Sequence, residues 1–374
     1  MKVEDFVNIL DADFYTGVPD SQLKSLCNYL LDKYGTDAKH HVIAANEGNS
    51  TALAAGYYLA TGKIPVVYLQ NSGEGNIINP VASLINNKVY AIPVIFVIGW
   101  RGENGVPDEP QHVYQGEITT QLLKNMDIQY YIVGKETSAS NMQEVMESFR
   151  RVLFSGKQVA FVIRKDAISY KKEIRYKNKY SIFREDVIKH IVKFTKDDLI
   201  ISTTGKTSRE LFEIRESNNQ SHKYDFLTVG SMGHASSIAL GIALNKQNKK
   251  IWCIDGDGAL LMHMGAMAVI GNVKPENMVH IVINNGAHES VGGMPTSAEE
   301  INIVNIALAC GYKYAISIND FETLDRELEV VKIKNELSLI EVKCAIGSRN
   351  NLGRPSLTPL ENKQSFMKYI VKLN

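Results

Sequence analysis

The sequence predicts an α/β protein built from two doubly wound parallel-sheet domains. Three observations carry this expectation. Apolar, β-branched runs alternate with helix-like stretches along the whole chain, and the alternation falls into two series. Between the series lies a segment rich in Lys and Tyr and poor in aliphatic residues. The 374 residues also exceed what one hydrophobic core usually supports.

In the first series, HHVIAA (40–45), PVVYLQ (65–70), IPVIFVIGW (92–100) and QVAFVIRK (158–165) are almost continuously apolar. Such runs read as strands buried on both faces. The second series is LIISTTG (199–205), KIWCIDGD (250–257), VHIVINN (279–285), YKYAISI (312–318) and SLIEVKCA (338–345). Helical segments lie between, among them Ser50 to Ala60, Ala139 to Leu153 and Ser236 to Leu244. Strand, helix, strand succession makes the paired strands parallel, since the crossover returns the chain to the edge it left. DAISYKKEIRYKNKYSIFRED (166–186) marks the boundary. The linker is placed at 171–188, with domains at 1–170 and 189–374 and no room for a middle domain. STALAAGYYLA and ASSIALGIAL read first as small-residue helix faces for tight packing. They also suggest that the halves are distant structural copies.

Lys and Arg total 41 and so do Asp and Glu, scattered rather than clustered. That leaves no electrostatic footprint for nucleic acid or an anionic membrane, and a small-molecule partner is expected. MKVEDFVNIL mixes acids into its apolar residues and does not read as a signal peptide. The longest apolar stretch, Ala91 to Trp100, is too short to span a bilayer. Cys27, Cys253, Cys310 and Cys344 show no CxxC pairing and read as reduced thiols of a cytoplasmic protein.

The most informative stretch is IWCIDGDGALLMHMGAMAVIGNVKPENMVHIVINNG (251–286). One strand ends in Asp255-Gly256-Asp257-Gly258 and the next in Asn284-Asn285. In an open α/β sheet, ligands gather at the carboxyl ends of strands, so both polar tips should converge on one edge. A carboxylate and an amide oxygen there suit a hard cation such as magnesium, whose shell is commonly completed by phosphate oxygens. Gly256 and Gly258 let backbone amides approach that anion, and the start of the following helix favours negative charge. In the first half, Glu47 follows the strand HVIAA and opens the helix NSTALAAGYYLA. It reads either as an acid capping a helix dipole or as a buried acid with a raised pKa.

GDG followed after twenty-five residues (259 to 283) by NN resembles the signature of thiamine diphosphate enzymes. The resemblance covers nearly the whole chain and implies the thiamine diphosphate-binding fold, with a pyrimidine-binding first domain and a diphosphate-binding second. It implies Asp257, Asn285 and the carbonyl of Ala287 as ligands of Mg2+ or another divalent cation. Glu47, at a strand end before a helix of the AAGYA type, becomes the acid that activates the cofactor. Further cofactor contacts are implied from Gly230, Ser231, Met232, Gly256, Gly258 and Ala259, with Met232 propping the cofactor in its bent conformation.

Within this superfamily the two-domain plan is similar to the phosphonopyruvate decarboxylase family, with sulfopyruvate decarboxylase, or another 2-oxo acid decarboxylase or carboligase of the superfamily, as the alternatives. The local matches are Gly17-Val18-Pro19-Asp20-Ser21, Gln70-Asn71-Ser72-Gly73, Trp100-Arg101-Gly102-Glu103, Asp108-Glu109-Pro110-Gln111-His112, Gly347-Ser348-Arg349 and Leu352-Gly353-Arg354-Pro355. The resemblance implies decarboxylation of a small anionic 2-oxo acid, 3-phosphonopyruvate, on the way to aminoethylphosphonate. Asp20 and His112 resemble proton-handling residues, and also read as a turn Asp and a loop His. Asp20, Ser21, Arg101, Arg349 and Arg354 are candidate substrate contacts, arginine suiting paired bonds to phosphonate. Each arginine also reads as a solvated charge. A homo-oligomer, at least a dimer with the site at the subunit interface, is implied. One departure stands out: where pyruvate-type enzymes place a Glu six residues after the metal Asn, this chain has Val291, with His288 and Glu289 nearby. The proton donor of the second half-reaction is therefore open.

Overall fold

The computed structural model describes residues 1–35, 37–289 and 293–372. The chain divides into two compact units, Met1–Arg175 with Ser290–Met294, and Tyr176–Glu289 with Pro295–Asn374. The first carries strands β1 (Tyr15–Gly17), β2 (His41–Ile43), β3 (Val66–Gln70), β4 (Ile95–Gly99), β5 (Gln129–Val133) and β6 (Val159–Ile163). They form one sheet in the order β2-β1-β3-β4-β6-β5, and every pairing is parallel. The second unit carries β7 (Leu199–Ser202), β8 (Asp225–Leu227), β9 (Ile251–Gly256), β10 (Met278–Asn284), β11 (Tyr314–Ile318) and β12 (Ser338–Lys343). Their order is β11-β12-β10-β9-β7-β8, again all parallel.

Numbered from its own first strand, each sheet reads 2-1-3-4-6-5. The two halves therefore share one topology, as the paired small-residue helices suggested. In such sheets the chain turns to opposite faces at a switch point, here between β1 and β3 and between β7 and β9, where ligands bind beyond the carboxyl ends.

The continuous apolar runs have a simple cause. On β9, Trp252 and Ile254 belong to one core, while Ile251 and Cys253 belong to the core on the other face. On β7, Ile200 faces the first core, and Leu199 and Ile201 face the second. Successive side chains point to opposite faces, so a sheet covered on both sides needs apolar residues at every position. Burying an Ile such as Ile254 contributes about 1.5–3 kcal/mol. The strands that the pattern did not flag are the short or marginal ones. β1 and β8 have three residues each, and the edge strand β5 leaves its first four residues partly exposed.

Local chemistry sets the helix that opens the first site. Asn46 caps Glu47–Thr61, its side chain accepting from the Gly48 and Asn49 amides, and Gly62 ends the helix in the left-handed region at φ 70°. Among the described residues, no helix is long and apolar enough to cross a membrane.

Candidate active site

In the first unit, Glu47 stands at the first position of its helix, just past β2, and is buried. Asn76 Nδ2 donates to Glu47 Oε2 at 2.7 Å. Gly73 explains how the carboxyl fits. A Cβ there would lie 2.6 Å from Glu47 Cγ, Cδ and Oε1. Burial raises the Glu47 pKa, and the Asn76 amide only partly opposes it. The result is an acid suited to keeping a proton, as activation of an aminopyrimidine requires.

At the same sheet edge, Asp20 follows β1 and is almost fully buried. Its Oδ1 accepts from Gln70 Nε2 and its Oδ2 from the Gln22 amide at 3.0 Å. A Cβ on Gly99, the last residue of β4, would come within 2.2 Å of Asp20 Oδ2, so only glycine leaves room for the carboxyl. Burial raises the Asp20 pKa against the pull of Gln70 and Arg101. Arg101 follows β4 and donates to Asp108 through both Nε (2.7 Å) and Nη2, while Nη1 reaches Ser21 Oγ at 3.1 Å. His112 is half-buried. Desolvation, helped by the Arg101 charge, brings its pKa down to about 4, which keeps the ring neutral. Its Nδ1 is buried without a hydrogen-bond partner among the described residues, as polar groups awaiting a ligand often are. Asp20, Ser21, Arg101 and His112 are thus linked through Arg101. Gln70, quoted in the sequence only as part of a motif, is the side chain that holds Asp20.

In the second unit, Asp257 opens the short helix Asp257–Met262 directly after β9. Its Oδ2 accepts from Thr296 Oγ1 at 2.6 Å, and burial carries its pKa up to about 6 despite that bond. Asn285 follows β10. Its Oδ1 accepts from the Ala287 amide at 3.0 Å, and its Nδ2 donates to Glu289 Oε2 at 3.0 Å. Buried oxygen donors from Asp257, Asn285 and Ala287 suit a hard divalent cation, which would also stabilise the desolvated Asp257 carboxylate.

Beside them, a Cβ on Gly258 would lie 3.3 Å from both Met232 Cε and His288 Cε1. The missing side chain lets Met232 and His288 approach the Gly258 backbone at the start of this helix, a turn whose chemistry fits a diphosphate with an apolar prop. Burial lowers the His288 pKa to about 4. Gly230 and Met232 are partly exposed in the loop after β8, Ser231 sits there at φ 54°, and Ala259 is buried in the helix after Asp257.

Glu289, noted in the sequence beside Val291, flanks Asn285, and sequence reasoning missed the charged partners that hold it, Arg184, Lys206 and Glu210. Glu289 accepts from Arg184 Nη1 and Lys206 Nζ, each at 2.8 Å, and Arg184 also holds Glu210 through two bonds of 2.7 and 2.8 Å. Burial would raise the Glu289 pKa, but Arg184 and Lys206 outweigh it and bring the value down to about 2. Arg349 donates to Glu185 at 3.1 Å and to Glu213, so two carboxylates already meet its charge. Arg354 lies exposed in the loop after β12. Val291 lies outside the described residues.

One further acid is conspicuous. Glu74 is completely buried after β3, neither carboxyl oxygen has a hydrogen-bond partner among the described residues, and burial pushes its pKa up to about 9.

The comparisons with known proteins give the family. Residues 3–128 match the N-terminal TPP binding domain of thiamine pyrophosphate enzymes, and residues 203–342 match the C-terminal TPP binding domain. A phosphonopyruvate decarboxylase of Streptomyces viridochromogenes is 30% identical over 375 residues, covering 95% of this chain and 90% of that protein. A sulfopyruvate decarboxylase of Methanosarcina acetivorans is 28% identical over 389 residues, covering 98% and 96%. The sulfopyruvate decarboxylase subunit beta of Methanococcus maripaludis is 31% identical over 189 residues, covering 50% of this chain and 98% of the subunit. Two thiamine pyrophosphate binding domains and a relative matched across both of them place the chain: it belongs to the phosphonopyruvate decarboxylase family of thiamine pyrophosphate enzymes, and it is a decarboxylase of 2-oxo acids.

Proposed function

We propose that the chain decarboxylates 3-phosphonopyruvate to 2-phosphonoacetaldehyde and carbon dioxide, using thiamine diphosphate and Mg2+, as a step of aminoethylphosphonate formation. The observation that carries the activation step is the buried Glu47 carboxyl, seated on Gly73 with a raised pKa. When bound, thiamine diphosphate would supply the nucleophilic carbon and the electron sink that decarboxylation of a 2-oxo acid requires. Glu47 holds the proton that the aminopyrimidine nitrogen shares. Asp257, Asn285 and the Ala287 carbonyl would hold the metal, and the Gly256 to Ala259 turn would receive the diphosphate. Asp20, kept in place by Gln70 and Gly99, and the neutral His112 ring are the proton-handling pair. Arg101, oriented by Asp108, presents Nη1 beside Ser21 for the anionic end of the substrate.

The phosphonate over the sulfonate is supported by full-length similarity to phosphonopyruvate decarboxylases at 29–30% identity. Sulfopyruvate decarboxylase is the alternative, supported by similarity of nearly the same extent. The test is carbon dioxide release with thiamine diphosphate and Mg2+ on phosphonopyruvate, sulfopyruvate and pyruvate side by side. A preference of about tenfold or more for phosphonopyruvate, or about 1.4 kcal/mol in transition-state binding, is expected. Comparable or faster turnover of sulfopyruvate would assign the chain to the alternative.

A further inference from the structure

Asn285 has one acceptor end and one donor end, and which end faces a cation depends on what fixes the amide. In this structure Nδ2 donates to Glu289 Oε2 at 3.0 Å, while Oδ1 accepts from the Ala287 amide at 3.0 Å. Turning the amide over would set Oδ1 against a carboxylate and Nδ2 against an N–H, losing both bonds. Glu289 is itself held. Lys206 Nζ donates to its Oε1 and Arg184 Nη1 to its Oε2, both at 2.8 Å. Arg184 is clamped in turn by two bonds to the buried Glu210, and Lys206 also reaches Ser348 Oγ at 2.8 Å. Two cations meet two carboxylates, so the cluster is electrically closed and has no need of another counter-ion. Pairs of this kind, when little exposed, hold their geometry because each partner would otherwise be a buried lone charge.

We infer that Glu289, anchored by Arg184 and Lys206, is a positioning residue that turns the Asn285 amide oxygen toward the divalent cation. The inference rests on the reading of Asn285 as a metal ligand. Groups that orient a ligand from behind are commonly worth 10–100-fold in metal affinity. Glu289 fills this role from a position four residues after Asn285, with its cations drawn from 105 and 83 residues earlier in the chain.

The experiment is a Mg2+ titration of the full chain at saturating thiamine diphosphate, followed by near-ultraviolet circular dichroism rather than by turnover. E289Q replaces an acceptor with a group that also donates, so the amide loses its preference, and Mg2+ affinity is expected to fall about 10–100-fold. E289Q/K206M, which keeps the cluster electrically balanced, should show the same loss and covers the case in which E289Q alone folds poorly. N285D supplies two equivalent acceptors and needs no orientation. There E289Q/K206M, which leaves the local charge unchanged, should bind Mg2+ about as N285D alone does, because no amide remains to be oriented.

A loss of Mg2+ affinity on E289Q/K206M in the parent that is absent in the N285D background supports positioning. Unchanged affinity in both E289Q and E289Q/K206M, or an equal loss on E289Q/K206M in the parent and in N285D, overturns it and leaves an ordinary structural ion cluster. N285A separates the two readings. If N285A binds Mg2+ as tightly as the parent, the ligand reading fails and takes the inference with it. If N285A binds weakly while the Glu289 variants do not, the inference alone fails.

Discussion

Glu47 and Glu74 are two buried acids on neighbouring elements of the first unit with different surroundings. Glu47 keeps one amide partner and lies against a glycine, which suits a carboxyl that must meet a ligand. Replacing it by Gln keeps the shape and removes the transferable proton. E47Q is expected to lose about 100-fold or more in kcat, the scale of positioned proton transfer, while thiamine diphosphate still binds by circular dichroism. Full activity in E47Q would remove Glu47 from activation.

Glu74 has no partner among the described residues, and its folded-state pKa of about 9 lies above its ordinary value of 4.5. The folded chain therefore keeps a proton that the unfolded chain has released over this range. Stability should fall as pH rises from about 4.5 to about 9, at about 1.4 kcal/mol per unit, reaching a cost on the order of 3 kcal/mol at pH 7. E74Q should flatten that slope, and E74L should also raise Tm at neutral pH by removing a buried polar group without partners. Urea melts at pH 5, 7 and 8.5 measure both. Equal slopes in parent and E74Q would show that Glu74 does not titrate in the folded state as its burial implies.

At the scale of elements, the strand-to-helix turns carry the site, and glycines decide where its acids lie. Gly73 sits in the turn after β3, and Gly99 is the last residue of β4. A methyl group would come within 2.6 Å of the Glu47 carboxyl at Gly73 and within 2.2 Å of the Asp20 carboxyl at Gly99. In G73A the Glu47 side chain must move, because a Cβ 2.6 Å from its carboxyl is closer than packing allows. The expected outcome is at least a tenfold loss of kcat with a small change in Tm, since a misplaced catalytic group costs rate more than stability. A G73A enzyme with parental kcat would mean that Glu47 has room to adjust.

The element scale also shows what sequence patterning misses. β5 escaped notice because an edge strand need not be apolar on both faces, and β1 because three residues hold too little pattern to recognise.

At the scale of the whole molecule, the proposed homo-oligomer is supported by apolar side chains left exposed on helices Ala235–Asn245, Gly265–Val273 and Ile303–Cys310. Leu244, Val269, Val273 and Leu308 are between 40% and 56% exposed. Covering such a surface is a common reason for self-association. Light scattering should give at least twice the 41.7 kDa of one chain, and V269D should shift the population toward monomer. An active monomer in the parent protein would contradict the proposal.

The strand runs, their parallel arrangement and the Asp257 and Asn285 tips were legible in the sequence. Each depends on local pattern: apolar residues at every position of a doubly covered strand, and polar residues where such a strand ends. The placement of Glu47 was legible for the same reason, as a strand end followed by a helix. What only the tertiary structure decided is which side chains meet. Gln70 reaches Asp20 across 50 residues, Arg184 reaches Glu289 across 105, and Arg349 is taken up by Glu185 and Glu213. No periodicity records those pairings, because a parallel sheet brings successive strand ends to one edge only after long crossovers. The charge state of each group then follows from the neighbours and the burial found there.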